Sequence, residues 1–390
     1  MMKTPNHGRI LHLTSMYPTN INGIHSGGHA VYDVVESIEK LIGPGRQDVM
    51  FFSSFLLPYY WLWDSAKKDT RDLLNPPWKD YLRFKRIPKL PYIFDGGITS
   101  LLWQNFWPVS FFKNNNYSLI HIHTTSVLGC FGVRLARRLK IPSIVTARIE
   151  VQLFRGQTVF IRNIIEHAIT GADEVIAPSV GIANSVRELF GRETALIPNG
   201  TNQIFNIPPV KHSAREKHSI LFTGVLENRK GLLPLMDACA RLKKDFPSLK
   251  LYIAGRGPLE NEVIKRANEN PAFTYLSWLT QEDLLSWMDR CEILCVPSYT
   301  ETFGIVYAEA MKRGMVVVAR KGTGIDGMGV DGRDYVLING DEDLQPCLGR
   351  LLNDQGKNAA MALRGGELAK LWSWDNNARL HLELYLKHGA

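Results

Sequence analysis

Long apolar runs are missing from this sequence. None of its 390 residues belongs to a stretch near the roughly 18 apolar residues needed to cross a bilayer. The start of the chain passes from polar residues straight into Ile10-Leu11-His12-Leu13, without the apolar segment of a signal peptide. Cysteine is scarce as well. Cys130, Cys239, Cys291, Cys295 and Cys347 are scattered, and the close pair Cys291 and Cys295 has no histidine nearby to complete a metal site. A reduced chain that stays in the cytoplasm is the expectation.

A composition with 45% hydrophobic and 22% charged residues excludes a disordered chain, a collagen-like chain and a polytopic membrane protein. The length predicts two or three domains with sizeable cores. Lys and Arg number 46 against 38 Asp and Glu, a net charge of +8. The excess has a location. Lys67, Lys68, Arg71, Lys79, Arg83, Lys85, Arg86 and Lys89 face only Asp69, Asp72 and Asp80, and five of the nine tryptophans lie between 61 and 107. Cations beside Trp and Tyr suit either a surface resting on anionic lipid headgroups or an aromatic core with a solvated basic face. No nucleic-acid motif accompanies the patch, so nucleic acid is not expected as a partner.

Residues 10–14 read as a strand, 22–28 as a loop ending in Ser26-Gly27-Gly28, 30–42 as an amphipathic helix and 49–52 as the next strand. Glycines where a helix opens suit a phosphate, because free N–H groups and the helix dipole converge there. Strand patterns resume at 119–123, 144–146, 173–177 and 195–197. A second series starts at 220–222 and continues at 249–254, 293–296 and 315–319. The polar, proline-bearing stretch 206–219 between the series reads as a linker. Strands alternating with helices predict an α/β fold of two doubly wound Rossmann-like domains, with ligands at the carboxyl ends of the strands.

The most informative stretch is Pro297-Ser298-Tyr299-Thr300-Glu301-Thr302-Phe303-Gly304-Ile305-Val306-Tyr307-Ala308-Glu309. A strand ends, a loop carries Glu301 and Phe303-Gly304, and a helix bearing Glu309 begins. Gly304 permits close backbone approach to a ligand, and the helix start offers N–H donors. A glutamate inside helix turns suits a pair of hydroxyls such as those of a ribose.

On this E-x7-E element the chain resembles the retaining glycosyltransferases of the two-domain GT-B fold, family 4. Further similar segments are Ser26-Gly27-Gly28, the strand 117–123 ending in His123, Ala172-Asp173-Glu174-Val175-Ile176-Ala177-Pro178-Ser179, Ile197-Pro198-Asn199-Gly200, the run from Gly224 to Gly231, the run from Leu251 to Pro258, and Trp372-Ser373-Trp374. The resemblance implies two Rossmann-like domains facing across a cleft: 1–205 on the acceptor side with an insertion at about 51–116, 206–370 binding the nucleotide sugar, and 371–390 returning to the first domain. It implies that Glu301 contacts the transferred sugar, Lys230 the donor diphosphate and Glu309 the ribose. It places His123 beside the sugar, and amides of Gly28, Phe303, Gly304 and Ile305 near phosphate or sugar. A lysine plus amides can stabilise a departing diphosphate without a metal, so neither metal nor cofactor is expected.

The sequence departs from the family at Val225, where an arginine is usual. Arg229 is the candidate replacement, and Arg148 is a candidate for the acceptor or a phosphate. His121 is expected on the opposite side of its strand from His123, in a structural position, and Trp278 in the core in preference to a place stacked on a base. The implied partners are a UDP- or GDP-sugar donor and a glycan or lipid-linked glycan acceptor in surface polysaccharide synthesis, with the insertion docked on the inner face of the membrane. The rival is a non-catalytic, membrane-peripheral nucleotide-sugar-binding protein on the same fold. A literal G-x-G-x-x-G, Gly322 to Gly327, suggests a dinucleotide oxidoreductase. It is followed by another glycine-rich loop where that fingerprint needs a helix.

Overall fold

The computed structural model of the chain describes residues 8–14, 29–51, 83–84, 112–113 and 115–389. They form two compact units. The first runs through Pro178 and adds Ile182–Ile197 and the final residues from Trp374. The second comprises Ser179–Gly181 and Pro198–Ser373. Most of the 51–116 segment, and with it the reading of a membrane-facing surface, lies outside the described residues.

The first unit holds β1 (Arg9–Thr14), β2 (Gln47–Phe51), β3 (Arg83–Phe84), β4 (Tyr117–Ile122), β5 (Ser143–Thr146), β6 (Glu174–Ala177) and β7 (Ala195–Leu196). They pair in the order β3-β2-β1-β4-β5-β6-β7, parallel throughout. The helices are α1 (His29–Ile42), α2 (Val127–Leu139), α3 (Ile149–Gln152), α4 (Val159–Gly171) and α5 (Val180–Phe190). In α1 the apolar residues Val31, Val34, Val35 and Ile38 are all buried. Their helical spacing outweighs the weak helix preference of three valines, because one continuous face meets the sheet.

The second unit holds β8 (Glu216–Thr223), β9 (Lys250–Ala254), β10 (Phe273–Ser277), β11 (Cys291–Cys295), β12 (Val316–Arg320) and β13 (Val336–Ile338). Their order is β10-β9-β8-β11-β12-β13, again parallel. Its helices are α6 (Leu232–Leu242), α7 (Glu260–Glu269), α8 (Gln281–Arg290), α9 (Ile305–Lys312), α10 (Leu344–Asn353) and α11 (Gln355–Ala369). β11 and β12 are buried at every position, as expected for central strands covered on both faces. The last helix, α12 (Trp374–Lys387), belongs to the first unit. In each sheet the strand order reverses once, between β1 and β4 and between β8 and β11. Those are the switch points where loops part and ligands of doubly wound sheets bind.

The stretch 206–219 is not a free linker. It lies inside the second unit, and β8 starts within it, at Glu216. Arg215 is buried and donates to the carbonyl oxygens of Met288 at 2.5 Å, Cys291 at 2.6 Å and Arg313. Arg313, also buried, holds the Ile207 carbonyl at 2.5 Å and pairs with Asp289 at 2.7 Å. Lys312 binds Thr201 and Asn206 at 2.7 and 2.8 Å. Polar composition suggested solvation, but these cations bury by saturating carbonyl groups that a tight connection would otherwise orphan.

Candidate active site

In the second unit β8 ends at Thr223 and is followed by Gly224 and Val225. A short turn, Asn228–Lys230, then leads through Gly231 into α6. Gly231 has φ 69°, and a Cβ there would meet the Pro297 carbonyl oxygen at 2.5 Å. Glycine is required on both counts. The close approach brings the turn against the loop that leaves β11. Lys230 Nζ consequently donates to Glu301 Oε2 at 2.5 Å, with side chains 13% and 15% exposed. The pair straddles the second sheet's switch point.

Arg229 also reaches this loop, donating to the Thr300 carbonyl at 3.1 Å and to Glu227 at 2.5 Å. The Tyr299 N–H returns to the Arg229 carbonyl at 2.9 Å. Adjacent side chains of a regular helix would diverge, but here both stand on a tight turn and face residues 300 and 301. Val225 is 41% exposed. Glu301 precedes the helix rather than lying on it: α9 starts at Ile305 with Gly304 as its left-handed N-cap, φ 77°. A Cβ on Gly304 would overlap the Tyr307 ring. Phe303 is fully buried, its ring edge-on to Trp372 at 5.4 Å, so its backbone is what it can offer a ligand. Glu309 is buried one turn into α9.

Sequence reading missed the supports of this loop. Gly324 N–H donates to the Glu301 carbonyl at 3.0 Å and Ser179 Oγ to the Thr302 carbonyl at 2.6 Å. Gly324 belongs to the G-x-G-x-x-G run, which continues as turns with no helix opening after it. That run braces the loop carrying Glu301. Arg320 lies 4.3 Å from the Tyr299 ring centroid and bonds Pro297 and Asn339 carbonyls and Asp341. Trp278, expected in the core, is 52% exposed where β10 ends. The strand runs out of sheet before the indole can be covered.

In the first unit the switch point between β1 and β4 carries a buried histidine network. His12 Nδ1 lies 3.0 Å from His123 Nε2, and His12 Nε2 lies 2.8 Å from Gln47 Oε1. His121 Nδ1 meets the Tyr385 hydroxyl at 2.6 Å, and its Nε2 meets Thr146 Oγ1 at 2.7 Å. The His121 and His123 rings are 3.9 Å apart. They share a side of the strand, contrary to expectation, because side chains repeat every second residue. Arg148 Nε donates to the His123 carbonyl at 2.9 Å, and Thr124 Oγ1 to Glu150 at 3.3 Å. Gly28 lies outside the described residues.

His381 of α12 joins this network, its ring 5.4 Å from that of His121. Burial lowers all four histidine pKa values, His12 to about 3 and His381 to about 4, with His121 and His123 well below the ordinary value. All are neutral at pH 7. Ring nitrogens of His12, His121 and His123 lie within 4.8 Å of one another, a spacing a metal ion could use. Both nitrogens of His12, both of His121 and Nε2 of His123 are already engaged in hydrogen bonds. As arranged, the cluster is a hydrogen-bond network and not a coordination shell.

Comparison with known proteins agrees with this layout. Residues 66–203 match the family described as Glycosyltransferase Family 4, and residues 217–354 match Glycosyl transferases group 1. An uncharacterised glycosyltransferase of Methanocaldococcus jannaschii is 28% identical over 268 residues, which cover 67% of this chain and 73% of that protein. Among solved structures, sucrose-phosphate synthase from Thermosynechococcus elongatus superposes with a TM-score of 0.74 at 21% identity, over 97% of this chain and 98% of that one. Anabaena HepE, in complex with UDP and glucose, superposes with a TM-score of 0.70 at 18% identity, over 98% and 100%. These two likenesses establish the fold, that of GT-B enzymes. Two matched domains in this order, on two Rossmann-like folds, make the chain a glycosyltransferase.

Proposed function

We propose that this glycosyltransferase moves a hexose from a nucleoside-diphosphate sugar to a hydroxyl acceptor, with retention at the anomeric carbon. The observation that carries the reading is the Lys230–Glu301 contact at the second sheet's switch point, with Glu309 buried one turn into α9. In the reaction the bond from C1 to the diphosphate oxygen breaks, and the nucleoside diphosphate leaves with the electron pair. The acceptor oxygen bonds C1 and releases its proton. Lys230, with Arg229 standing in for the cation missing at Val225, faces the charge that grows on the leaving diphosphate. Amides at Gly304 and Ile305 add donors, Glu309 holds the ribose, and Glu301 contacts the sugar. His123 touches the transferred sugar, and Arg148 serves the acceptor side.

UDP is the first base to test, because HepE binds it on the same fold; GDP is the second. No metal or cofactor is assigned to this reaction. A lipid-linked glycan acceptor, reached from the cytoplasmic side through the 51–116 segment, fits the aromatic and basic sequence there. Among the described residues no helix is long and apolar enough to cross a membrane.

The test is thermal stability of the purified protein with UDP, GDP, ADP and NAD, repeated on Glu309→Ala. A ligand at about 100 times its Kd stabilises the native state by about 2.7 kcal/mol. One nucleoside diphosphate should stabilise the protein and do so less in the variant. Stabilisation by none, or by NAD alone, would overturn the donor assignment. Co-sedimentation with anionic vesicles, weakened by salt, is the expected sign of membrane docking; no binding at low salt removes that part of the proposal.

A further inference from the structure

Gln47 is buried on β2, with its amide between two different kinds of neighbour. Its nitrogen lies 3.0 Å from the Val35 carbonyl oxygen and 2.8 Å from Glu39 Oε2. Both oxygens are acceptors, so turning the amide over would set oxygen against oxygen twice. Glu39 is itself held, since its other oxygen accepts the Gly45 N–H at 2.9 Å. The amide orientation is therefore forced, and the Gln47 carbonyl oxygen faces His12 Nε2 at 2.8 Å.

The consequence passes along the network one proton at a time. His12 Nε2 must carry hydrogen to bond that carbonyl. His12 is neutral, its pKa lowered to about 3 by burial, so it has a single ring proton and its Nδ1 is bare. His123 Nε2, 3.0 Å away, must then be the donor. His123 is neutral as well, which leaves its own Nδ1 without hydrogen. The His123 backbone cannot relax out of this arrangement, because its N–H holds the Leu13 carbonyl at 2.9 Å and its carbonyl holds Arg148 Nε at 2.9 Å.

We infer that Gln47, braced by Glu39 and acting through His12, is a positioning residue that holds His123 as the Nε2–H tautomer and leaves Nδ1 to accept hydrogen from a sugar hydroxyl. The inference rests on the reading of His123 as a sugar-contacting residue. It adds a chemical requirement to that reading: the group met by His123 must be a hydrogen-bond donor. A donor sugar deoxygenated or methylated at that one hydroxyl is bound more weakly.

Long-range proton–nitrogen correlation spectra of the full chain labelled with 15N-histidine, at pH 7, test the tautomers without any substrate. Spectra of His12→Asn and His123→Asn assign the two residues. Both should show a protonated Nε2 and a bare Nδ1, and in Gln47→Leu both should lose that uniform pattern. A proton on His123 Nδ1 in the unsubstituted protein, or a Gln47→Leu spectrum with the same tautomers, overturns the inference. If Gln47→Leu does not fold, the spectrum of the unsubstituted protein still decides. The second arm compares affinities for UDP and UDP-glucose. Gln47→Leu should bind UDP as before and UDP-glucose about tenfold more weakly, the size of one good hydrogen bond; equal loss for both, or none, overturns the role of Nδ1. Should the unsubstituted protein bind neither, the donor assignment fails while the tautomer result stands by itself.

Discussion

Lys230 Nζ and Glu301 Oε2, from residues 71 positions apart, meet at 2.5 Å in a setting where both side chains are mostly covered. Each neutralises the other in the absence of a phosphate. In the proposed reaction a nucleoside diphosphate entering this site would compete with Glu301 for the lysine. Lys230→Met should lower kcat/KM at least about 100-fold, the scale for losing one charge-stabilising group. It should also destabilise the fold by about 1–3 kcal/mol, because the mostly covered Glu301 carboxylate loses its cation. The double variant with Glu301→Gln should recover stability and not activity. Urea unfolding and steady-state kinetics on the three proteins separate these outcomes.

Arg229 bonds the Thr300 carbonyl while Val225 stands exposed. Arg229→Ala should weaken UDP binding about tenfold, and adding Val225→Arg should restore most of it. Titration calorimetry with UDP reads both, and an unchanged Kd in Arg229→Ala would remove that residue from the donor site.

Gly231→Ala should destabilise the second unit by about 2–4 kcal/mol, combining a left-handed backbone with an overlap against the Pro297 carbonyl. The same change at Gly191, whose φ is 63° and whose Cβ would meet nothing within 4 Å, should cost about 1 kcal/mol from backbone strain alone. Equal losses in denaturant titrations would show that the overlap is relieved.

The histidine network makes stability depend on pH in a definite direction. His12, His121, His123 and His381 all have folded pKa values below the unfolded value of about 6.5. Below that pH the unfolded chain takes up protons that the folded chain refuses. Their contribution is complete above pH 6.5 and is lost as pH falls toward 4 and 3, each residue adding a slope of up to about 1.4 kcal/mol per pH unit. Unfolding free energies at pH 7.5, 6.5 and 5.5 should drop across the last interval; a flat profile would mean that the histidines are solvated.

Much of this architecture is legible in local pattern. The valines of α1, the apolar runs of β11 and β12, and the strand-loop-helix order around Glu301 announce themselves through spacing. The structure departs from expectation at three places. His121 and His123 share a face because strand side chains repeat every two residues. Trp278 is exposed because its strand ends before a neighbour covers it. The stretch 206–219 has a solvated composition, but Arg215 and Arg313 bury by capping carbonyl groups from distant helices and strands.

The sequence by itself determined the two series of alternating strands and helices, the resemblance that names Glu301, Glu309, Lys230 and His123, and the glycines at turns. Those properties depend on residues close along the chain, where periodicity and motif spacing carry the information. Only tertiary structure decided that Lys230 meets Glu301, that Arg229 faces the same loop, that Gly324 braces it, and that Gln47 reaches His123 through His12. These contacts follow from strand order and switch points, which bring together segments tens of residues apart. A hydrogen bond between such segments leaves no periodic trace in either one.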